Sequence, residues 1–256
     1  MIQKDAQAWA KITATHRQMT VRNRLNSERR AFPQAVFNVP AAPPALAGLT
    51  AVQIEERGFT AKCIYFGKID FAVGGNPTEN LIVIDFVKEK SGWKYDIAEF
   101  VSLVALPEVR AELAKGDLSY IQKTTAFRPT GIVPPTPAAV PLAKYIGKVY
   151  IFCPGRSANV TVNNISPHSL GNAKDAQLIL GGLRDGENTI SYELKDLPGA
   201  SQNEALCLRV YVFSQFEGVK PIKLFEYQVE EGKNATLKGS HTFTLSAAAA
   251  KTILGK

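Results

Sequence analysis

The period of the hydrophobic positions changes along this chain. Between Asp5 and Asn26, Trp9, Ile12, His16 and Met19 recur three or four residues apart, the spacing of one helix face, and predict a helix turned toward a core. Pro33 and the stretch from Val39 to Gly48, VPAAPPALAG, break that pattern and predict a loop. From Leu49 the period shortens toward two in the runs TAVQIEE, TAKCIYFGKIDF, ENLIVIDFVKEK and GWKYDIAEFVSL. Arg57-Gly58, Gly74-Gly75-Asn76-Pro77 and Ser91-Gly92 stand between these runs as turn formers, so the stretch reads as an antiparallel meander. On its last strand Trp93, Tyr95, Ile97, Val101 and Leu103 are expected on one face, with Lys94 and Asp96 opposite. Pro107 then opens a second helix that Gly116 ends.

The segment RPTGIVPPTPAAVP, from Arg128 to Pro141, can join neither a helix interior nor a central strand, because proline fixes φ, lacks an N–H and pushes its predecessor toward extended geometry. It reads as a stiff spacer. Beyond it come seven short strand patterns: Lys148 to Cys153, Asn159 to Ile165, Ala176 to Leu180, Asn188 to Leu194, Ala205 to Phe213, Ile222 to Val229 and Ser240 to Leu245. Alternation puts Val149, Ile151 and Cys153 on one face, and Leu206, Leu208, Val210 and Val212 on another, which predicts a two-sheet sandwich. The sequence therefore divides into an α+β domain over 1–127, a linker over 128–143, an all-β sandwich over 144–246 and a tail over 247–256 that forms a short helix or frays.

A chain of 256 residues with 45% hydrophobic positions can fill two modest cores. The net charge of +7 is spread evenly, with 17 basic against 13 acidic residues up to residue 142 and 13 against 10 beyond it, or +4 and +3. Neither half concentrates the Lys and Arg that a nucleic-acid surface requires; Arg22, Arg24, Arg29 and Arg30 read as a solvated helix face. No apolar run has membrane-spanning length, and no signal pattern opens the chain. Cys63, Cys153 and Cys207 form no CxxC pair, which argues against a zinc site or a disulfide framework and leaves one Cys153–Cys207 bridge open. His168 and His241 have no companion that makes a ligand set, so neither metal nor cofactor is expected, and Ser157 and Ser166 lie in no nucleophile-elbow pattern.

A long N-terminal helix followed by strands that close on FVKEKSGWKYDIAEF resembles the NTF2-like (cystatin-like) superfamily over about Asp5 to Leu103. The resemblance implies a helix on a curved antiparallel sheet, a cone-shaped cavity for a small ligand and a homodimer through that sheet. It does not imply catalysis, since the superfamily holds isomerases, dehydratases and plain scaffolds. The segment LGGLRDGENTISYEL is similar to a feature of immunoglobulin-like and jelly-roll accessory domains, over about Tyr145 to Leu245, though the core Trp and paired cysteines of antibody domains are absent.

Asp85 and Glu99 interrupt otherwise apolar faces of the first sheet. A carboxylate in an apolar cavity has its pKa raised by desolvation and serves as a general base, with Tyr65 or Tyr95 as an oxyanion donor. Trp93 and His16 are pocket candidates. Against this, a bulge, a strand end or a Lys or Arg partner accounts for both carboxylates, and a histidine on an apolar stripe packs with one hydrogen-bonded nitrogen. The reading that follows is a non-enzymatic, exported two-domain scaffold, periplasmic or at the cell surface with its signal or anchor removed, whose sandwich meets a protein or glycan partner. An NTF2-like isomerase or small-molecule binder, a surface-appendage component and a cytoplasmic location are the alternatives.

Overall fold

The computed structural model describes residues 4–39, 44–70, 77–199 and 204–256. The chain is mostly β, with three four-stranded antiparallel sheets and few helices. It divides into two compact units, Met1–Thr20 with Val36–Pro137, and Val21–Ala35 with Ala138–Lys256. The turn sequence Gly74 to Asn76 and residues 40–43 of the proline-rich loop lie outside the described residues.

The single helix expected from Asp5 is two, α1 (Ala6–Ile12) in the first unit and α2 (Thr15–Ser27), which belongs to the first unit up to Thr20 and to the second from Val21. Asp5 caps α1 by accepting from the N–H groups of Gln7 and Ala8. The break comes where the backbone changes partner: Thr13 bridges to Tyr95 in parallel and the Ala14 N–H donates to the Tyr95 carbonyl. With the helix interrupted, the expected stripe does not hold, and Ile12 is exposed while Trp9 and His16 are buried.

The meander forms as the alternation predicts, with β1 (Thr50–Arg57), β2 (Thr60–Ile69), β3 (Thr78–Glu89) and β4 (Gly92–Val101) in sheet order β1-β2-β3-β4. One face carries Ile64, Phe66, Leu81 and Val83. It is filled by Leu103, by Leu113 of α3 (Pro107–Ala114), by Ile121 of α4 (Ser119–Lys123) and by Phe127. This face is thus covered by helices that follow the sheet in sequence. The opposite face holds a second cluster drawn from the sheet and Leu49.

A bulge corrects the expected faces of β4. Asp85 pairs with Ile97 and Phe86 with Tyr95, so Asp96 is an extra residue with no partner on β3. Ile97 and Val101 face α3 and α4, whereas Trp93 and Tyr95 face the other way.

Among the described residues the second unit holds eight strands: β5 (Ile146–Phe152), β6 (Arg156–Val162), β7 (Ser166–Gly171), β8 (Lys174–Leu178), β9 (Gly186–Asp196), β10 (Leu206–Phe213), β11 (Ile222–Val229) and β12 (Lys238–Leu245). They make sheets ordered β11-β10-β5-β8 and β12-β9-β6-β7. Val149, Ile151, Leu208 and Val210 from one sheet share a core with Val160, Ile190, Tyr192 and Phe243 from the other, a sandwich-like arrangement.

One strand more than expected arises at Asn163 and Asn164. Both adopt positive φ, at 54° and 56°, and turn β6 back into β7. The sequence SPHSLG of β7 carries no apolar alternation, which hid it. The tail is a helix, α5 (Ala247–Ile253), capped by Ser246 and packed into the core through Ala250 and Ile253. Cys153 and Cys207 are both free thiols.

The proline-rich stretch is tied down at Gly131 and again from Ala138. In the first unit the Gly131 N–H donates to Thr60 Oγ1 at 2.8 Å, and the Phe59 N–H donates to the Gly131 carbonyl at 3.1 Å. The part from Ala138 onward belongs to the second unit.

Candidate functional site

The sheet register sets the chemistry of the first unit. Lys62 on β2 stands opposite Asp85 on β3, and its Nζ lies 2.7 Å from both carboxylate oxygens. One position along, Asp96 stands at the bulge. Its Oδ1 accepts from His16 Nε2 and from Arg17 Nε, each at 2.9 Å. Lys62, Asp85 and Asp96 line a pocket of about 130 Å³, together with Thr60, Thr130 and Pro129.

Asp85 has both oxygens engaged by the Lys62 ammonium, a pairing that favours the ionised carboxylate over proton transfer. His16, buried at 6% exposure, donates from Nε2 to a carboxylate, and its Nδ1 has no hydrogen-bond partner. A bare, oriented imidazole nitrogen is what a general base requires, but His16 does not line the pocket.

The other sequence candidates lie elsewhere. Glu99 is exposed and pairs across the ladder with Val83, outside the pocket. Tyr65 and Tyr95 belong to the opposite face of the sheet, so neither reaches a group held by Asp85. Burial raises the Tyr95 phenol above its ordinary pKa, against smaller lowering contributions from the Ala98 backbone and Arg17. Trp93 is at the edge of exposure, with the Lys88 ammonium over its ring. The structure therefore brings together Lys62, Asp85, Asp96, Arg17 and His16, and keeps Glu99 and the tyrosines apart from them.

The second unit contains an arrangement that sequence reading passed over. Ser166 Oγ lies 2.9 Å from His168 Nε2, and His168 Nδ1 lies 3.1 Å from Gln177 Oε1. Because the amide oxygen only accepts, Nδ1 carries the proton and Nε2 accepts from the serine. This is the connectivity of a nucleophile, base and orienting group. Ser166 is fully buried, however, and its oxygen also accepts from the Leu180 N–H at 2.7 Å. With no solvent access, the three residues serve as a polar pin between β7 and β8, in different sheets. Burial lowers the pKa of His168, partly offset by the Gln177 hydrogen bond.

The outer face of β6, β9 and β12 is polar throughout its cross-strand rows. Asn159, Glu193 and Lys238 form one row, and Thr161, Ser191 and Ser240 the next. These six side chains line an open concavity of about 390 Å³. Beside it Tyr192 stacks on Tyr227 with ring centres 5.0 Å apart, and exposed His241 stacks on Tyr192 at 5.9 Å. The Tyr227 hydroxyl accepts from the Thr236 N–H and so fixes the loop between β11 and β12.

Among the described residues no group of three or more His, Cys, Asp or Glu is placed to hold a metal ion, and no helix is long and apolar enough to cross a membrane. No family model, curated protein or solved structure matches this chain.

Proposed function

We propose that this is a non-enzymatic two-unit binding or scaffold protein whose sandwich meets a protein or glycan partner. The observation that carries the reading is the filled face of the first sheet: Leu103, Leu113, Ile121 and Phe127 occupy the space a small-molecule cavity needs. The pocket left beyond them is small, and its best-placed carboxylate is tied to Lys62. The polar concavity on β6, β9 and β12 is the proposed contact surface, since it is open and its hydroxyl, amide and oppositely charged groups suit a hydrogen-bonding partner.

The finer fold readings belong to the same proposal. A four-stranded sheet with helices on one face supports an NTF2-like first unit. Two sheets of four strands support the jelly-roll side of the second resemblance, because the constant-type immunoglobulin arrangement has seven strands in all. Homodimerisation through the first sheet is favoured by Ile54 and Phe100, exposed at 67% and 46% on the face away from α3. An exported location is proposed from the exposed prolines and the strand-rich second unit, and cell fractionation tests it against a cytoplasmic one.

The alternative, an isomerase- or dehydratase-like enzyme, has the bare Nδ1 of His16 on its side. Ligand-dependent thermal shifts of Asp85→Asn and Glu99→Gln separate the two readings. The scaffold reading expects every shift to survive both substitutions, and loss of a small-molecule shift in either variant overturns it.

A further inference from the structure

We propose that Asn23, Asn26 and Ser27 form a clasp that closes the second unit, and that its release is the first opening motion of that unit. These residues occupy the second half of α2, spaced so that all three lie on one helix face. Asn23 donates from Nδ2 to the Ala138 carbonyl at 2.8 Å, and its Oδ1 accepts from the Val140 N–H at 3.0 Å. Asn26 donates to the Val140 carbonyl at 3.0 Å, and its own carbonyl accepts from the Ala143 N–H at 3.0 Å. Ser27 accepts from the Gly181 N–H at 2.8 Å while donating to the Asn23 carbonyl at 2.6 Å.

Residues 138–143 belong to no strand, and among the described residues every hydrogen bond to their backbone comes from α2. Asparagine and serine are poor choices for a helix interior unless their side chains are needed elsewhere. Here Asn23 and Ser27 are almost fully buried, at 1% and 0% exposure, so the helix and the extended segment satisfy each other. Behind the segment the packing leaves no slack: a Cβ on Gly182 would lie 2.3 Å from the Tyr145 carbonyl oxygen and 2.5 Å from Ala143 Cβ. Helix, segment and the turn at Gly181 therefore come apart together, and they do so before the ladders of β5 and β10, whose backbone bonds do not depend on α2.

Native-state hydrogen exchange on the full chain tests this. The amides of Val140, Ala143 and Gly181 are expected to share one opening free energy, below that of the hydrogen-bonded amides of β5 and β10. Of the three amides Ser27→Ala touches only Gly181 directly, its other bond running to the Asn23 carbonyl, yet it should speed exchange at all three by about tenfold or more and leave β10 unchanged. Asn23→Asp, which removes the donor to Ala138, should act on the same three. If Ser27→Ala speeds Gly181 alone, or if the three amides open with different free energies in the unmodified protein, the clasp is overturned. A variant that fails to fold leaves the exchange pattern of the unmodified protein to decide.

Discussion

Asp96 accepts a 2.9 Å hydrogen bond from Nε2 of His16, 80 residues upstream, at the point where β4 carries one more residue than β3. Alternation keeps Asp96 opposite Trp93 and Tyr95, and the extra residue then carries Ile97 over to the same side. Asp96 thus stands beside Lys62 and Asp85 and gives the start of α2 its buried anchor.

Removing that anchor leaves a buried imidazole and a half-buried guanidinium without an acceptor. Asp96→Ala should destabilise the first unit by about 2–3 kcal/mol, below the value for a fully buried pair because Arg17 is partly exposed. Chemical denaturation followed by Trp9 and Trp93 fluorescence measures it, and a loss within about 0.5 kcal/mol, the range of an ordinary surface change, would refute the anchoring role.

Two glycines of the second unit separate backbone strain from steric contact. Gly182 and Gly186 share a φ of +68°, but nothing lies within 4 Å of a Cβ on Gly186. Gly186→Ala should cost about 1–2 kcal/mol from the left-handed conformation alone. Gly182→Ala adds the collision with the Tyr145 carbonyl and should cost about 2–5 kcal/mol. Paired thermal melts check the order, and equal losses would contradict the packing described.

His168 makes the second unit sensitive to acid. Its folded pKa lies below the ordinary 6.5 because burial disfavours the charged ring, so the unfolded chain binds the proton more readily. Stability thus rises with pH across the interval between the folded value and 6.5, is complete above 6.5, and is lost as the pH falls. His168→Gln should flatten this part of the pH profile while costing about 1–3 kcal/mol at neutral pH through the lost pin. An unchanged profile in the variant would mean that another group titrates.

The Ser166–His168–Gln177 chain also predicts silence. A fluorophosphonate probe should leave the native protein unlabelled, because Ser166 has no exposed surface. Labelling at Ser166 under native conditions would reopen a hydrolytic role.

Much of the fold was legible because alternation is a local property. The four strand runs of the first sheet and seven of the eight strands of the sandwich follow from period two and from turn residues. What stayed hidden depends on pairing. A bulge leaves no trace in the sequence of β4 itself, so alternation kept Ile97 and Val101 on the face of Tyr95; Lys62 becomes the partner of Asp85 only once β2 and β3 are in register. Likewise Asn23, Asn26 and Ser27 look like a solvated helix face until residues 138–143 supply backbone partners from more than 110 positions away. The carboxylates singled out by apolar neighbours were real interruptions, but Glu99 points to solvent and Asp85 found a lysine.

The proposed recognition surface is the outer face of β6, β9 and β12, not the pocket beneath Pro129. The most direct measurement is binding of the full-length protein to immobilised glycans and peptides, compared with a Glu193→Ala/Lys238→Ala variant and an Asp85→Asn/Glu99→Gln variant. Loss of the bound partner in the first variant with retention in the second is the expected result. Retention in the first with loss in the second would contradict it.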